Sequence, residues 1–223
     1  MKKINIAIDG PAGAGKSTIA RRAAEKLGFI YVDTGALYRT LTYFILEKGL
    51  EPDNSVCVAS AVKEVSVELK FSDGVQRVYL NGNDVSDKIR TPEISMGASK
   101  ISAIPEIREL LLDLQRKIAA ENNVIMDGRD IGTVVLPDAE LKIFLTASAE
   151  ERAKRRCLEL EEKGNPQSYD KILADIIQRD YNDSHRRISP LKQAEDAVLL
   201  DTTDMNIDEV CMSIFKLAEG LRG

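Results

Sequence analysis

The sequence predicts an α/β protein: five parallel strands in one doubly wound sheet, helices on both faces, and a small antiparallel β insert. Three observations in the 223 residues carry that prediction. Short apolar runs at 4–8, 29–32, 124–126, 141–145 and 197–201 alternate with stretches of helical periodicity. The first run feeds Gly10-Pro11-Ala12-Gly13-Ala14-Gly15-Lys16-Ser17-Thr18, a full match to G-x-x-x-x-G-K-[ST]. Between 65 and 85 the pattern switches to period two and closes on Asn81-Gly82, a hairpin signal.

The first strand, loop and helix make a phosphate loop, and with the parallel strands they predict the P-loop NTPase fold. Gly13 and Gly15 let the backbone curl around an anion. Loop and helix N–H groups then point inward, aided by the helix dipole. By the motif, Lys16 reaches the β/γ-phosphates of ATP and the Ser17 hydroxyl ligates Mg²⁺.

The helix after the loop places Ile19, Ala20, Ala23, Ala24 and Leu27 on one face, and Gly28 stops it. After the second strand, Thr34 reads as the N-cap of a helix carrying Leu37, Arg39, Leu41, Phe44 and Ile45. Arg39 alone reads equally as a solvated helix charge. Residues 55–63 allow a short helix. Val65, Val67, Leu69 and Phe71 alternate with polar residues, Ser72-Asp73-Gly74 turns the chain, and 76–80 and 83–85 complete the insert. It reads as separate from the parallel core and as moving with the second helix.

Thr91-Pro92 opens a helix that Pro105 restarts, with Ile107, Leu110, Leu111, Leu114 and Ile118 as its apolar face. Ser99 and Arg108 lie on these segments. The third apolar run ends in Asp127-Gly128-Arg129-Asp130. An acid at a strand's carboxyl end beside a phosphate loop suits metal organisation, directly or through water; the alternative for Asp127 is a turn residue before Gly. Ser148 with Glu151 forms a capping box. The following helix carries Arg152, Lys154, Arg155 and Arg156 among glutamates, which read as a solvated, i,i+4-paired surface. Ser168 opens a helix with Tyr169, Ile172, Leu173, Ile176 and Ile177 inward. Its Arg179, Asp183 and Arg186 share one face, either as an internal ladder or as anion and hydroxyl ligands. His185, the one histidine, reads as a surface residue. Asn206 and Glu209 box the last helix, and Gly220 ends it.

The net charge of −5 gives no overall basic field for nucleic acid or an anionic membrane. No apolar run is long enough to span a bilayer. Lys2 and Lys3 precede a core strand, not a signal peptide. Cys57, Cys157 and Cys211 lack metal spacing and fit reduced thiols in a cytoplasmic enzyme. A monomer is expected. No Ser-His-Asp or Cys-His set is visible. The chain does hold Lys16 and seven arginines able to converge: Arg39, Arg108, Arg129, Arg155, Arg156, Arg179 and Arg186. Phosphoryl transfer between two anions needs such cations and Mg²⁺ more than it needs covalent chemistry. A GTPase switch would want N-K-x-D and D-x-x-G strings, which are absent. A nucleotide-gated binding ATPase explains fewer of the arginines.

The stretches I-D-G-P-A-G-A-G-K-S-T, D-T-G-A-L-Y-R (33–39) and D-G-R-D-I-G-T-V-V-L-P-D-A (127–139) together resemble the bacterial-type cytidylate kinases. K-I-F-L-T-A-S, E-R-A-K-R-R and Q-R-D-Y-N-D-S-H-R follow in the same order, so the resemblance covers essentially the whole chain. It implies a single domain over 1–223, with an acceptor-binding insert at about 37–105 and a mobile helical lid at about 151–186. It implies transfer of the ATP γ-phosphoryl group to CMP or dCMP; another small acceptor such as UMP or AMP is the alternative. By position, Ser99, Arg108 and Asp130 would read the cytosine edge, and Arg179 and Asp183 would hold the ribose hydroxyls. Thr34, Arg39, Arg129 and Arg186 would surround the acceptor phosphate. Arg155 and Arg156 would close from the lid, making them, with Lys16, Arg129 and Asp127, the catalytic set. Many members of that family carry Gly at the position of Ser17.

Overall fold

The computed structural model describes residues 3–72, 75–162 and 164–221. Lys2 and the Asp73-Gly74 part of the expected turn lie outside the described residues. The core sheet contains β1 (Asn5–Asp9), β2 (Ile30–Asp33), β6 (Val124–Gly128), β7 (Leu141–Thr146) and β8 (Val198–Asp201). Its order is β2-β6-β1-β7-β8, and every pairing is parallel. All five expected strands are therefore present. Ile6, Ala7 and Ile8 are fully buried, because β1 is covered on both faces. Among the described residues β8 has a partner on one edge only, and its Val198 and Leu199 are exposed.

Helices α1 (Lys16–Leu27) and α8 (Ile207–Glu219) pack one face, where Ile19, Ala20, Val210 and Ile214 meet Ile8 and Ile143. Ile118 and Ala119 of α5 (Pro105–Glu121) join Ala7, Val32 and Met126 on the other. Thr91 caps α4 (Pro92–Ile101) by accepting the Ile94 N–H, with Pro92 at the first helical position. Asn206 and Glu209 form the expected reciprocal box on α8. Strands β3 (Val67–Ser72), β4 (Val75–Leu80) and β5 (Asn83–Asp84) form the antiparallel insert. Asn81 and Gly82 both take positive φ, 49° and 82°, as a two-residue hairpin demands. The insert is not detached from the sheet. Its Gln76 side chain accepts the Asp33 N–H at 2.9 Å and donates to the Asp33 carbonyl at 3.3 Å. It also shares a core with α2 (Thr34–Glu47) through Val78, Leu80, Leu37 and Leu41. The short helix allowed at 55–63 is α3 (Ser55–Ala61). Helices α6 (Ala149–Glu162) and α7 (Tyr169–His185) pair around Ala153, Leu160 and Ile172.

Three local expectations need correction. Asp33, not Thr34, caps α2: its carboxylate accepts the Ala36 N–H at 3.0 Å, and Asp33 alone has the extended backbone of a cap. Leu110 is exposed, because the buried stripe of α5 turns toward Arg108, Leu111, Gln115 and Ile118. Tyr169 and Ile177 are exposed because α7 packs chiefly on α6 and gives another face to polar residues.

Candidate functional site

The loop between β1 and α1 sits at the centre of the sheet, at the carboxyl end of its middle strand. Gly10 has φ 149°, and a Cβ there would collide with the Leu145 carbonyl of the adjacent strand. Gly13 and Gly15 also have positive φ, so the loop curls as the motif requires. Lys16 is buried and donates to the carbonyls of Gly10 and Pro11 at 2.7 and 2.6 Å. Burial, then the nearby Arg129 cation, push its ammonium well below the usual lysine range.

Asp127 is the hub between the loop and the rest of the site. One carboxylate oxygen accepts from the Ser17 hydroxyl at 2.9 Å and the other from the Tyr31 hydroxyl at 3.0 Å. Its carbonyl accepts from the Thr34 hydroxyl at 2.7 Å. Burial, then the neighbouring Asp33 charge, raise its carboxyl to about 6. Burial and the Asp127 charge raise the Tyr31 phenol too, so it remains a donor. The pair Ser17 and Asp127 offers hard oxygen ligands beside the phosphate loop. No cluster of three or more His, Cys, Asp or Glu suited to a metal occurs among the described residues. That donor set fits Mg²⁺, which is commonly held by one or two protein oxygens together with substrate phosphates.

Around Asp33, Asp130 and Asp183 the arginines converge. Arg39 pairs with Asp33 at 2.8 Å, and Arg129 Nε donates to Asp183 at 2.9 Å. Ser99 Oγ donates to the other Asp183 oxygen at 3.3 Å. Arg108 is paired with Asp130, and its second nitrogen donates to the Ser102 carbonyl at 3.1 Å. Arg186 lies past the end of α7, yet its guanidinium still comes within 3.7 Å of Asp130. Burial would lift the Asp183 carboxyl, but Arg129, by charge and hydrogen bond, holds it low. Burial, then Arg129, lower the Arg179 guanidinium to about 10. Buried nitrogens on Arg39, Arg179 and Arg186 have no hydrogen-bond partner among the described residues. Donors left this way, on cations already crowded together, are a demand for an anion. Ser99, Arg108, Arg129, Asp130, Asp183 and Arg186 join one network through Ser102. Thr34 and Arg39 are held beside it on Asp127 and Asp33, and Arg179 meets it through the charges of Arg129 and Asp183.

Arg155 and Arg156 do not join it. Arg155 donates to the Thr202 carbonyl at 2.7 Å, and Arg156 pairs with Glu159 at 2.7 Å, both along the flank of α6. Arg152, grouped with them as a solvated charge, is instead buried. It donates to the Ala12 carbonyl of the loop at 3.0 Å and forks onto Asp180 at 3.1 and 2.6 Å. Nothing in the local pattern of a charged helix distinguishes it. Asp33 and Tyr31 were also missed, although Asp33 shares the strand-end signal of Asp127.

The model of the cytidylate kinase family matches residues 6–220. A cytidylate kinase from Caldicellulosiruptor bescii is 52% identical over 217 residues, 97% of this chain and 96% of that one. One from Lactobacillus gasseri is 52% identical over 216 residues, covering 97% and 94%. Among solved structures, an uncharacterized protein from Eubacterium ventriosum superposes with TM-score 0.57 at 15% identity, over 98% of this chain and 99% of that one. This last likeness speaks to the fold alone.

Proposed function

Because the chain belongs to the cytidylate kinase family, we infer that it transfers the γ-phosphoryl group of ATP to CMP or dCMP, giving ADP and CDP or dCDP. The observation that carries the reading is that buried guanidinium nitrogens on Arg39, Arg179 and Arg186 find no hydrogen-bond partner among the described residues, while Arg129 crowds Arg179 and Arg108 crowds Arg186. One cradle takes the donor phosphates, and the other takes a second anion. In the transfer, an acceptor phosphate oxygen forms the new P–O bond as the bond to the ADP oxygen breaks. That oxygen is already anionic, so no general base is needed; the protein's task is positioning and charge neutralisation.

Lys16 leaves the loop carbonyls for the donor phosphates. Thr34, Arg39, Arg129 and Arg186 hold the acceptor phosphate, and Arg179 with Asp183 the ribose. Ser99, Arg108 and Asp130 read the base, since a buried donor–acceptor pattern left unpaired by the wrong base discriminates strongly. Ser17, directly, and Asp127, through water, would hold Mg²⁺, which offsets charge on the β- and γ-phosphates when bound. For Arg155 and Arg156 to act, the α6–α7 lid must close and take them off Thr202 and Glu159, excluding water as it does so. The insert near 37–105 and the lid near 151–186 work on one domain spanning 1–223.

Among the described residues, exposed large apolar side chains are spread over six helices and the strands β4 and β8, which supports a monomer. Three free cysteines suit a reducing compartment, the cytoplasm. No described helix is long and apolar enough to cross a membrane. The test is a coupled assay with Mg²⁺-ATP and a panel of CMP, dCMP, UMP, AMP and a sugar. CDP formation is expected; failure to make CDP with turnover of AMP or a sugar instead overturns the reading.

A further inference from the structure

Asp9 belongs to neither substrate set, yet it touches the segments that carry both. It ends β1, one residue before Gly10, whose carbonyl accepts from Lys16. Its carboxylate is 4% exposed. One oxygen accepts the Ile131 N–H at 2.8 Å and the other the Gly132 N–H at 2.7 Å. These are the first two N–H groups of a single π-helical turn, Ile131–Val135, which begins directly after Asp130. Such leading N–H groups have no partner within their own turn, and a carboxylate placed there satisfies them and meets the positive end of the local dipole.

Two adjacent charge-assisted bonds to one carboxylate fix orientation as well as distance. The fixed peptide groups adjoin Asp130, which is paired with Arg108 and faces Arg186. A shift of the turn therefore shifts Asp130 and alters what Arg108 presents. The contact is close-fitting: a Cβ on Gly132 would lie 3.4 Å from the Asp9 carboxylate and 3.1 Å from Lys142 Cδ.

We propose that Asp9 is a positioning residue for acceptor-base selection: its carboxylate clamps the start of the 131–135 turn, so that Asp130 and Arg108 present one fixed pattern to the pyrimidine edge. The proposal rests on the kinase reading above. Asp9 acts through the turn and touches no substrate.

The test compares the wild type, Asp9→Asn, Asp130→Ala and the double variant, with CMP and UMP as acceptors. Asparagine keeps the shape but turns an NH₂ toward one of the N–H groups. The kcat/KM ratio of CMP over UMP should fall about tenfold in Asp9→Asn, within the range that one misplaced polar contact spans. KM for CMP should rise, while KM for ATP stays within about twofold, because the loop keeps its own bonds. In the Asp130→Ala background, Asp9→Asn should leave the ratio within about twofold, the non-additivity of residues that act as a unit. An unchanged ratio in the single variant overturns the proposal, as does an equal fall in the Asp130→Ala background or a parallel rise in KM for ATP. Should Asp9→Asn not fold, Asp9→Ser, which leaves one hydroxyl where two carboxylate oxygens held the Ile131 and Gly132 N–H groups, takes its place with the same ratio read. A wild type that makes no CDP overturns the kinase reading together with this one; a wild type that makes CDP, with variants of unchanged ratio, sinks this one alone.

Discussion

The donor loop and the acceptor cluster are built on opposite principles. The loop is nine consecutive residues, and most of what it offers an anion is backbone. The acceptor cluster draws Arg39 from α2, Ser99 from α4, Arg108 from α5, Arg129 and Asp130 from the segment after Asp127, and Asp183 from α7. Everything it offers is side chain, and Arg39, Arg108 and Arg129 are each held by a carboxylate, from Asp33, Asp130 and Asp183. A backbone-built grip is general, since any nucleoside triphosphate carries the same phosphates. A side-chain grip is where choice of substrate can reside.

The largest effect that could break this division is at Arg129. Removing it leaves Asp183 buried without its cation and takes one donor from the acceptor phosphate. Arg129→Ala should lower kcat about a thousandfold, at the upper end of losses for a charge-stabilising donor. ATP binding, read by equilibrium titration, should stay within about threefold, because the loop is self-supporting. A matching loss of ATP affinity would move Arg129 to the donor side and dissolve the contrast.

The same division governs what the sequence made legible. The loop could be read whole because its spacing is its geometry. The five parallel strands and the Asn81-Gly82 hairpin were legible for the same reason: local periodicity and turn chemistry determine them. The acceptor arginines are legible as cations able to converge, and Arg179, Asp183 and Arg186 as one helix face, but their separate roles come only through family resemblance, because spacing along the chain says nothing of which helix faces which. Arg152 shows the limit. Its neighbours Lys154 and Arg156 are exposed, while its own position on α6 faces the loop. Only the packing of α6 on α7 and the loop separates one arginine from the next. Asp33 took the cap expected of Thr34 because strand and helix abut with no residue between, and that left the Thr34 hydroxyl for Asp127.

Next in size is base choice. Asp130→Ala removes the partner of Arg108 and leaves a buried guanidinium to face the pyrimidine alone. The CMP over UMP preference in kcat/KM should fall between about tenfold and a hundredfold. An unchanged ratio would place base readout outside the acceptor cluster.

The junction between the two regions should respond to pH. Asp127 and Asp9 are both lifted to about 6, in each case chiefly by burial. If Asp127 must be ionised to organise the metal, kcat/KM for Mg²⁺-ATP, which reports the free enzyme, should fall about tenfold per pH unit below about 6. Stability should move the other way. A carboxyl whose folded value lies above its unfolded 3.8 contributes most below about 4, and that contribution is lost as pH rises through about 6. Asp183, held low, opposes this by losing its contribution as pH falls. Initial rates and urea unfolding, each followed from pH 4 to 7, should therefore diverge. An acid limb near pH 4 would show that Asp127 is not required as its anion.

The smallest effect should come at Ser17, where loop and hub meet. Its hydroxyl bonds the Asp127 carboxylate, and that bond helps to hold the raised carboxyl down. Ser17→Gly should do three modest things. It loosens the first turn of α1 by about 0.5–1 kcal/mol, the ordinary cost of glycine in a helix. It weakens apparent Mg²⁺ affinity a few-fold, since Asp127, the substrate phosphates and water still supply ligands. It shifts the acid limb of the rate profile upward, because the freed carboxyl loses a donor that favours its charge. Loss of activity beyond about a hundredfold would mean that Ser17 is the metal's principal protein anchor. The loop would then offer the donor a side-chain ligand as decisive as its backbone, and the contrast with the acceptor cluster would hold only for the substrate phosphates.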